Sequence, residues 1–423
     1  MENKKTLIIN YESMRSGGIE VNLAYLMQYA IEHMYRVIWL TSLQAFKEAK
    51  FRYIIENKKI EKIYLSQKEI LYGMYPRINF DKNEYVVMVS PHTNSFIFAE
   101  NIRKHAHVAE FNHFLLISHF TSPFYYPETT FDNCFLRNTW KLYYKKIANI
   151  LIERDNVRGF DEKHLIEYEK RYKVKIPELS KKVLLGLIPC GDLNYDKLKE
   201  KAKSRTQAFN ILACTRFDFP HKGFVIGLIE AFTRLKRQHH ELRLKIIGYG
   251  EGRNKLEEKI NILNENVKND IQVIDELDYL ELRKEIQNSH LTVGLAGTSM
   301  ESARCGVPTL VVRHYTYKCE TYGFIQNSQN NLLGTGPGEE IDNYVCKIIE
   351  MSDNEYIDMC YSTLEICKEK TSYDPSYLFE QKCSQNSLEG IAIMIARIEK
   401  QMERISNRIK RTKMRTTLQG GYK

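Results

Sequence analysis

Two tandem α/β domains, each a parallel sheet covered on both faces by helices, are what this 423-residue chain predicts. Three observations carry the expectation. Short apolar runs alternate with segments of helical spacing, the alternation restarts near residue 209, and a lysine-rich polar stretch separates the two series. Such a pair of domains places a cleft between them, where the carboxyl ends of both sets of strands face each other.

The first series opens with Thr6 to Tyr11, a short apolar run consistent with a buried parallel strand. Ser16-Gly17-Gly18 supplies a turn, and Ile19, Leu23 and Leu26 then recur at helical spacing. Further strands are expected at Arg36 to Leu40, Tyr85 to Val89, Phe114 to Ser118, Asn149 to Ile152 and Val183 to Ile188. In the second series Phe209 to Cys214 reads as a strand and Gly223 to Arg237 as a helix with Ile226, Leu228, Ile229 and Phe232 inward. Leu242 to Ile247, Ile271 to Ile274 and Leu291 to Leu295 are its next strands. The expected divisions are residues 1–191 for the first domain, 192–207 for a linker, 208–375 for the second domain and 376–423 for C-terminal helices.

Bulk composition excludes several classes. Hydrophobic content of 43% with 27% charged residues is that of a globular protein. Nine scattered cysteines with no Cys-x-x-Cys pair argue against a disulfide framework and a structural zinc site, and fit a reducing cytoplasm. No leader with a cleavage site is expected, and no stretch approaches the roughly 18 apolar residues of a spanning helix. Of the net charge of +9, seven units come from Arg404, Arg408, Lys410, Arg411, Lys413, Arg415 and Lys423, with no acid among them. The body of the chain is therefore near neutral, which argues against nucleic acid as a partner. Ahead of the basic tail, Leu388, Ile391, Ile395, Ile398, Met402, Ile405 and Ile409 form a heptad seam. Packing on the protein's own body, self-association through 388–409 and docking of 404–423 on an anionic membrane are its three competing uses.

The chemistry concentrates in the second half. Gly297-Thr298-Ser299-Met300-Glu301 opens a helix that closes on Gly306-Val307-Pro308. Backbone N–H groups at its start offer an anion site, and Glu301, one turn in, can reach a hydroxyl pair. Arg216 and Lys222 lie in the loop after the first strand of that half, at the edge where ligands bind. Arg binds a diphosphate through parallel N–H bonds, and Lys acts as a point charge. An anion cradle, a hydroxyl-binding carboxylate and two phosphate-seeking cations together describe a nucleotide-sugar site.

Arg216-x5-Lys222-Gly223, the segment Ile246 to Gly250, the segment Gly297 to Pro308 and the turn Gly17-Gly18-Ile19-Glu20 resemble the retaining GT-B glycosyltransferases of the Glu-x7-Glu group. The resemblance spans most of residues 5–312 and is strongest over 211–312. It implies two Rossmann-like domains, with the acceptor on the first and the nucleotide-sugar donor on the second. It also implies transfer of a sugar from a UDP or GDP donor, with retention, to a glycan or lipid-linked acceptor, with no metal and no resident cofactor. A place in cell-surface polysaccharide or glycoconjugate synthesis, on the inner face of the cell membrane, would follow. Arg216 and Lys222 match the family's diphosphate ligands and Glu301 its ribose-binding Glu. Thr298 and Ser299 match the helix start that caps the diphosphate. Gly17 and Gly18 match the turn that admits the donor phosphate, and Gly248 belongs to the matching glycine segment. His119 stands where the family carries a cleft-facing histidine, and His92 is a second strand-end candidate.

The chain departs from the family at one place. Eight residues before Glu301, where the first Glu of the pair belongs, stands Val293. Nucleotide binding is left intact, and sugar recognition must differ. A non-catalytic subunit that binds nucleotide or carbohydrate and supports a partner enzyme is the rival expectation. Gly248-x-Gly250 is not a dinucleotide fingerprint, because Arg253 replaces its third small residue. The run Asp275-Glu276-Leu277-Asp278 reads as a helix cap rather than a metal site.

Overall fold

The computed structural model describes residues 4–15, 17–117, 134–159, 162–183, 190–328, 332, 334, 336–370, 375–380, 394 and 397–398. Six strands form a first, wholly parallel sheet: β1 (Lys5–Asn10), β2 (Arg36–Thr41), β3 (Ile60–Tyr64), β4 (Tyr85–Ser90), β5 (Glu110–Ile117) and β6 (Val157–Gly159). Their order is β3-β2-β1-β4-β5-β6, so the sheet reverses its direction of growth between β1 and β4. The second sheet contains β7 (Phe209–Cys214), β8 (Leu242–Ile247), β9 (Ile271–Ile274), β10 (Leu291–Gly294), β11 (Thr309–Val312), β12 (Glu320–Phe324) and β13 (Glu339–Glu340). Its order is β13-β12-β11-β10-β7-β8-β9, with β12 and β13 antiparallel at one edge. Each sheet thus has one switch point, and in open sheets of this kind ligands bind in the crevice outside it.

Each sheet is buried in its own apolar core. The helix Gly18–Glu32 seals the first by burying Ile19, Leu23, Leu26 and Met27, and Phe224–Leu235 seals the second with Phe224, Leu228, Ile229 and Phe232. Leu378 and Phe379, far along the chain, return to the core of the first domain.

Three expectations need correction. The segment Asn149 to Ile152 is not a strand but the end of a helix, Cys134–Glu153. Its buried residues Tyr144, Ile147, Ala148 and Leu151 follow the helical interval, which a four-residue window hides. The stretch 192–207 is no loose linker. It holds the helix Tyr195–Ser204, started by Asn194, whose side chain accepts the Lys197 N–H. Leu198 and Ala202 enter the second core, and the buried Arg205 donates to the carbonyls of Ile348 at 2.6 Å and Met351 at 2.8 Å. Third, no capping bond comes from the Asp278 side chain. Its carboxylate accepts the Arg52 N–H of the first domain at 3.4 Å instead.

Of the expected strand Val183 to Ile188, only Val183 is described, bridging Gly159 in parallel. The basic tail and the heptad seam lie outside the described residues except Ile398, which is exposed. Among the described residues no helix is long and apolar enough to cross a membrane.

Candidate active site

The two switch points face each other. After β1 the chain runs through Tyr11 to Gly17 into the helix Gly18–Glu32, and after β10 only Leu295 and Ala296 precede the helix Gly297–Arg304. A Cβ built on Gly297 would lie 3.6 Å from the Cα of Gly18. Two helix N-termini, one from each domain, therefore meet across the cleft, and each brings the partial positive charge of its free N–H groups. Gly297 is exposed and Thr298 half-buried, as an anion-capping helix start requires. Ser299 is fully buried, so only its backbone can take part. Ala296, just before this helix, holds φ at +53°, a costly value for a residue with a Cβ. The strain sets the angle at which the helix enters the cleft.

Arg216 and Lys222 occupy the loop after β7, beside this pair of helix starts. Arg216 is exposed and Lys222 half-buried. Neither side chain has a hydrogen-bond or ion-pair partner among the described residues. Burial, reinforced by the Arg216 charge, pushes the Lys222 ammonium down to about 8. A cation kept short of counter-charge in a cleft is poised for an anionic ligand.

Gly248 does not point at a ligand. A side chain there would strike the Thr215 carbonyl, and Gly250, at φ +139°, lies against the Phe217 backbone. The glycines after β8 thus let the loop carrying Arg216 settle on that turn. Gly17 has a comparable task, because a side chain there would collide with the Glu20 carboxylate folded back over it. Glu20 accepts the Tyr11 hydroxyl at 2.8 Å. Burial raises its carboxyl to about 7, against the pull of its own backbone N–H, Tyr11 and Arg216.

Glu301 is placed differently from the expectation. It is 6% exposed, and its Oε1 accepts the Tyr279 hydroxyl at 2.6 Å. Arg283 stands 3.6 Å from the same oxygen and Arg304 3.5 Å from Oε2. In this arrangement a ribose hydroxyl must displace one of these partners. Tyr279 is itself wedged into the first domain. Its N–H donates to the Lys50 carbonyl at 2.8 Å, and its ring stacks on Phe51 with centroids 4.9 Å apart. Val293 lies mid-strand in β10, 1% exposed within the apolar core. A carboxylate at that position would face the core and not the cleft, so the short connection after β10 removes the place for one.

Sequence reasoning missed a second contact between the domains. Arg15 pairs with Glu276 at 2.9 Å and lies 4.0 Å over the Tyr249 ring, all three at the mouth of the cleft. His92 is half-buried at the start of the helix Thr93–His105, edge-on to Tyr11 at 5.3 Å. His119 lies outside the described residues.

Residues 194–356 match the profile of the family described as glycosyl transferases group 1. No curated protein matches the chain. Among solved structures it is similar to Anabaena Alr3699/HepE in complex with UDP and glucose, at 13% identity and a TM-score of 0.54, over 89% of this chain and 98% of that one. It is also similar to an Escherichia coli trehalose-6-phosphate structure bound with UDP-2-fluoro glucose, at 14% identity and TM-score 0.53, over 89% and 97%. The trehalose-6-phosphate synthase OtsA gives 14% and 0.55 over the same shares. At these identities the likeness shows the fold, two Rossmann-like domains in the GT-B arrangement. Within that class, it is the second domain, over residues 194–356, that is similar to the glycosyl transferases group 1 family.

Proposed function

We propose that this protein transfers a sugar from a UDP or GDP donor to a glycan or lipid-linked acceptor, with retention and without a metal. One observation carries the reading: two cations without a partner among the described residues, Arg216 and Lys222, stand beside two helix N-termini that meet at Gly18 and Gly297. Together they supply the positive charge that a diphosphate leaving group develops most need for as the glycosidic bond breaks. The donor binds mainly to the second domain. The acceptor enters along the first, past Tyr11 and His92, and the departing phosphate guides its hydroxyl. Positioning and charge stabilisation then do the work, with no protein nucleophile.

A role in cell-surface polysaccharide or glycoconjugate synthesis fits a lipid-linked acceptor, with residues 404–423 bringing the protein to an anionic membrane. A second reading, a non-catalytic subunit that binds nucleotide or carbohydrate and supports a partner enzyme, is favoured by Val293, buried in β10 where the first Glu would stand. Release of free UDP or GDP on adding donor and acceptor separates the two. Turnover is expected for the wild type and none for Arg216→Ala. A wild type that binds donor yet releases no nucleotide with any acceptor of a broad panel supports the subunit reading instead.

A further inference from the structure

The connection from β10 to the helix Gly297–Arg304 holds only Leu295 and Ala296, so it brings no polar side chain to the sugar end of the site. What lies next to it can be traced bond by bond. Ala296 donates its N–H to the Leu332 carbonyl at 2.8 Å, and the Gly334 carbonyl accepts from the His314 N–H at 3.3 Å. A Cβ on Gly334 would lie 2.9 Å from the Leu295 side chain. The loop after β11, beginning at Arg313, thereby reaches the strained helix entry through the Leu332 and Gly334 backbone, which lies against both.

The same loop also reaches the cation side. Tyr315 donates its N–H to the His221 carbonyl at 3.0 Å, and a Cβ on Gly223 would meet the Thr316 carbonyl at 2.7 Å. His221 directly precedes Lys222. Three rings gather there: His221 and Tyr315 with centroids 4.7 Å apart, His314 and Tyr315 at 4.9 Å, His221 and His314 at 6.0 Å. Tyr315 is 65% exposed and is held at φ +55°, a conformation unfavourable for a residue with a large side chain. A bulky ring kept out in solvent on a strained backbone is costly on both counts, and such strain gathers at ligand sites.

From this juxtaposition we propose that Tyr315, His314 and His221 form the recognition surface for the glycosyl group of the donor. The inference rests on the nucleotide-sugar reading above. The glycosyl group hangs from the distal phosphate, and the three rings adjoin Lys222 through His221 and the helix start through Gly334. A phenol ring offers a flat face to the C–H face of a hexose, and imidazoles offer both a donor and an acceptor to its hydroxyls. The surface takes the place of the carboxylate that Val293, buried in the sheet, does not provide.

The test is calorimetric titration of UDP, GDP, UDP-glucose, UDP-galactose, UDP-N-acetylglucosamine and GDP-mannose into wild type, Tyr315→Ala, Tyr315→Phe and His314→Ala. For the sugar nucleotide that the wild type prefers, Tyr315→Ala and His314→Ala are expected to weaken binding about tenfold. Tyr315→Phe should keep most of the affinity. All variants should bind the sugar-free diphosphate within about twofold of wild type. An unchanged affinity for the sugar nucleotide, or an equal loss for the diphosphate and its sugar conjugate, overturns the assignment. A wild type that binds no diphosphate at all overturns the nucleotide-sugar reading, and the assignment falls with it.

Discussion

Lys222 and Glu301 sit in the same cleft and are opposites in how they are satisfied. Lys222 is a half-buried cation with no partner among the described residues, and its ammonium is pushed down to about 8. Glu301 is a buried carboxylate held by Tyr279, Arg283 and Arg304. The difference separates a group awaiting a ligand from a group already employed in the structure. Folding leaves a charge short of partners at a cost, and that cost is retained where a ligand later removes it. A fully bonded carboxylate instead ties the Gly297 helix to Tyr279, and through Tyr279 to the first domain.

Replacement of Glu301 breaks the comparison most sharply. Glu301→Ala strands the buried Arg304, leaves Arg283 with the Tyr25 hydroxyl, and should destabilise the protein by about 3–5 kcal/mol, read by denaturant unfolding. A loss confined to nucleotide affinity, with stability unchanged, would mean that Glu301 serves ligand alone. Lys222→Ala should do the reverse. Turnover falls by about 100- to 1000-fold, while the melting temperature stays level or rises slightly, because a cation disfavoured by burial has been removed. The pH dependence of binding gives a smaller and more specific sign. Below about 8 Lys222 is already charged in the free protein; above it, the diphosphate must first draw a proton onto the amine. Affinity should therefore fall as pH rises past 8, by up to about tenfold per unit. Glu20, neutral below about 7 and ionised above, adds repulsion of the same sign. A flat affinity from pH 7 to 9.5 contradicts both. Tyr279→Phe sharpens the comparison from the carboxylate side. The hydrogen bond to a charged group is lost, at about 1.5–3 kcal/mol of stability, and Glu301 Oε1 is freed. If ribose competes for that oxygen, the variant binds UDP more tightly than wild type while 2′,3′-dideoxy-UDP binds both alike.

The second domain was legible nearly strand for strand, since β7, β8 and β9 are apolar runs with clear boundaries. Two outer strands, β3 and β12, were not. Ile60–Tyr64 has its apolar run interrupted by Glu61 and Lys62, and Glu320–Phe324 pairs antiparallel outside the parallel series. The cations of the site could be read because a loop after a first strand has a fixed place in the fold. Arg15, Glu276 and Tyr279 could not. Their meaning lies in contacts between domains, such as Arg15 to Glu276 across 261 positions, which leave no local pattern. Glu301 was located by its spacing, but its occupancy by Tyr279 and two arginines depends on that same interface.

The proposed function requires that a nucleoside diphosphate be held between the two helix starts by Arg216 and Lys222. Calorimetric titration of UDP and GDP into wild type, Arg216→Ala and Lys222→Ala at pH 7 tests it most directly. Binding of one diphosphate to the wild type, weakened at least about 30-fold in each variant with folding intact, is the predicted result. Equal affinity in all three proteins would place the nucleotide elsewhere and contradict the account.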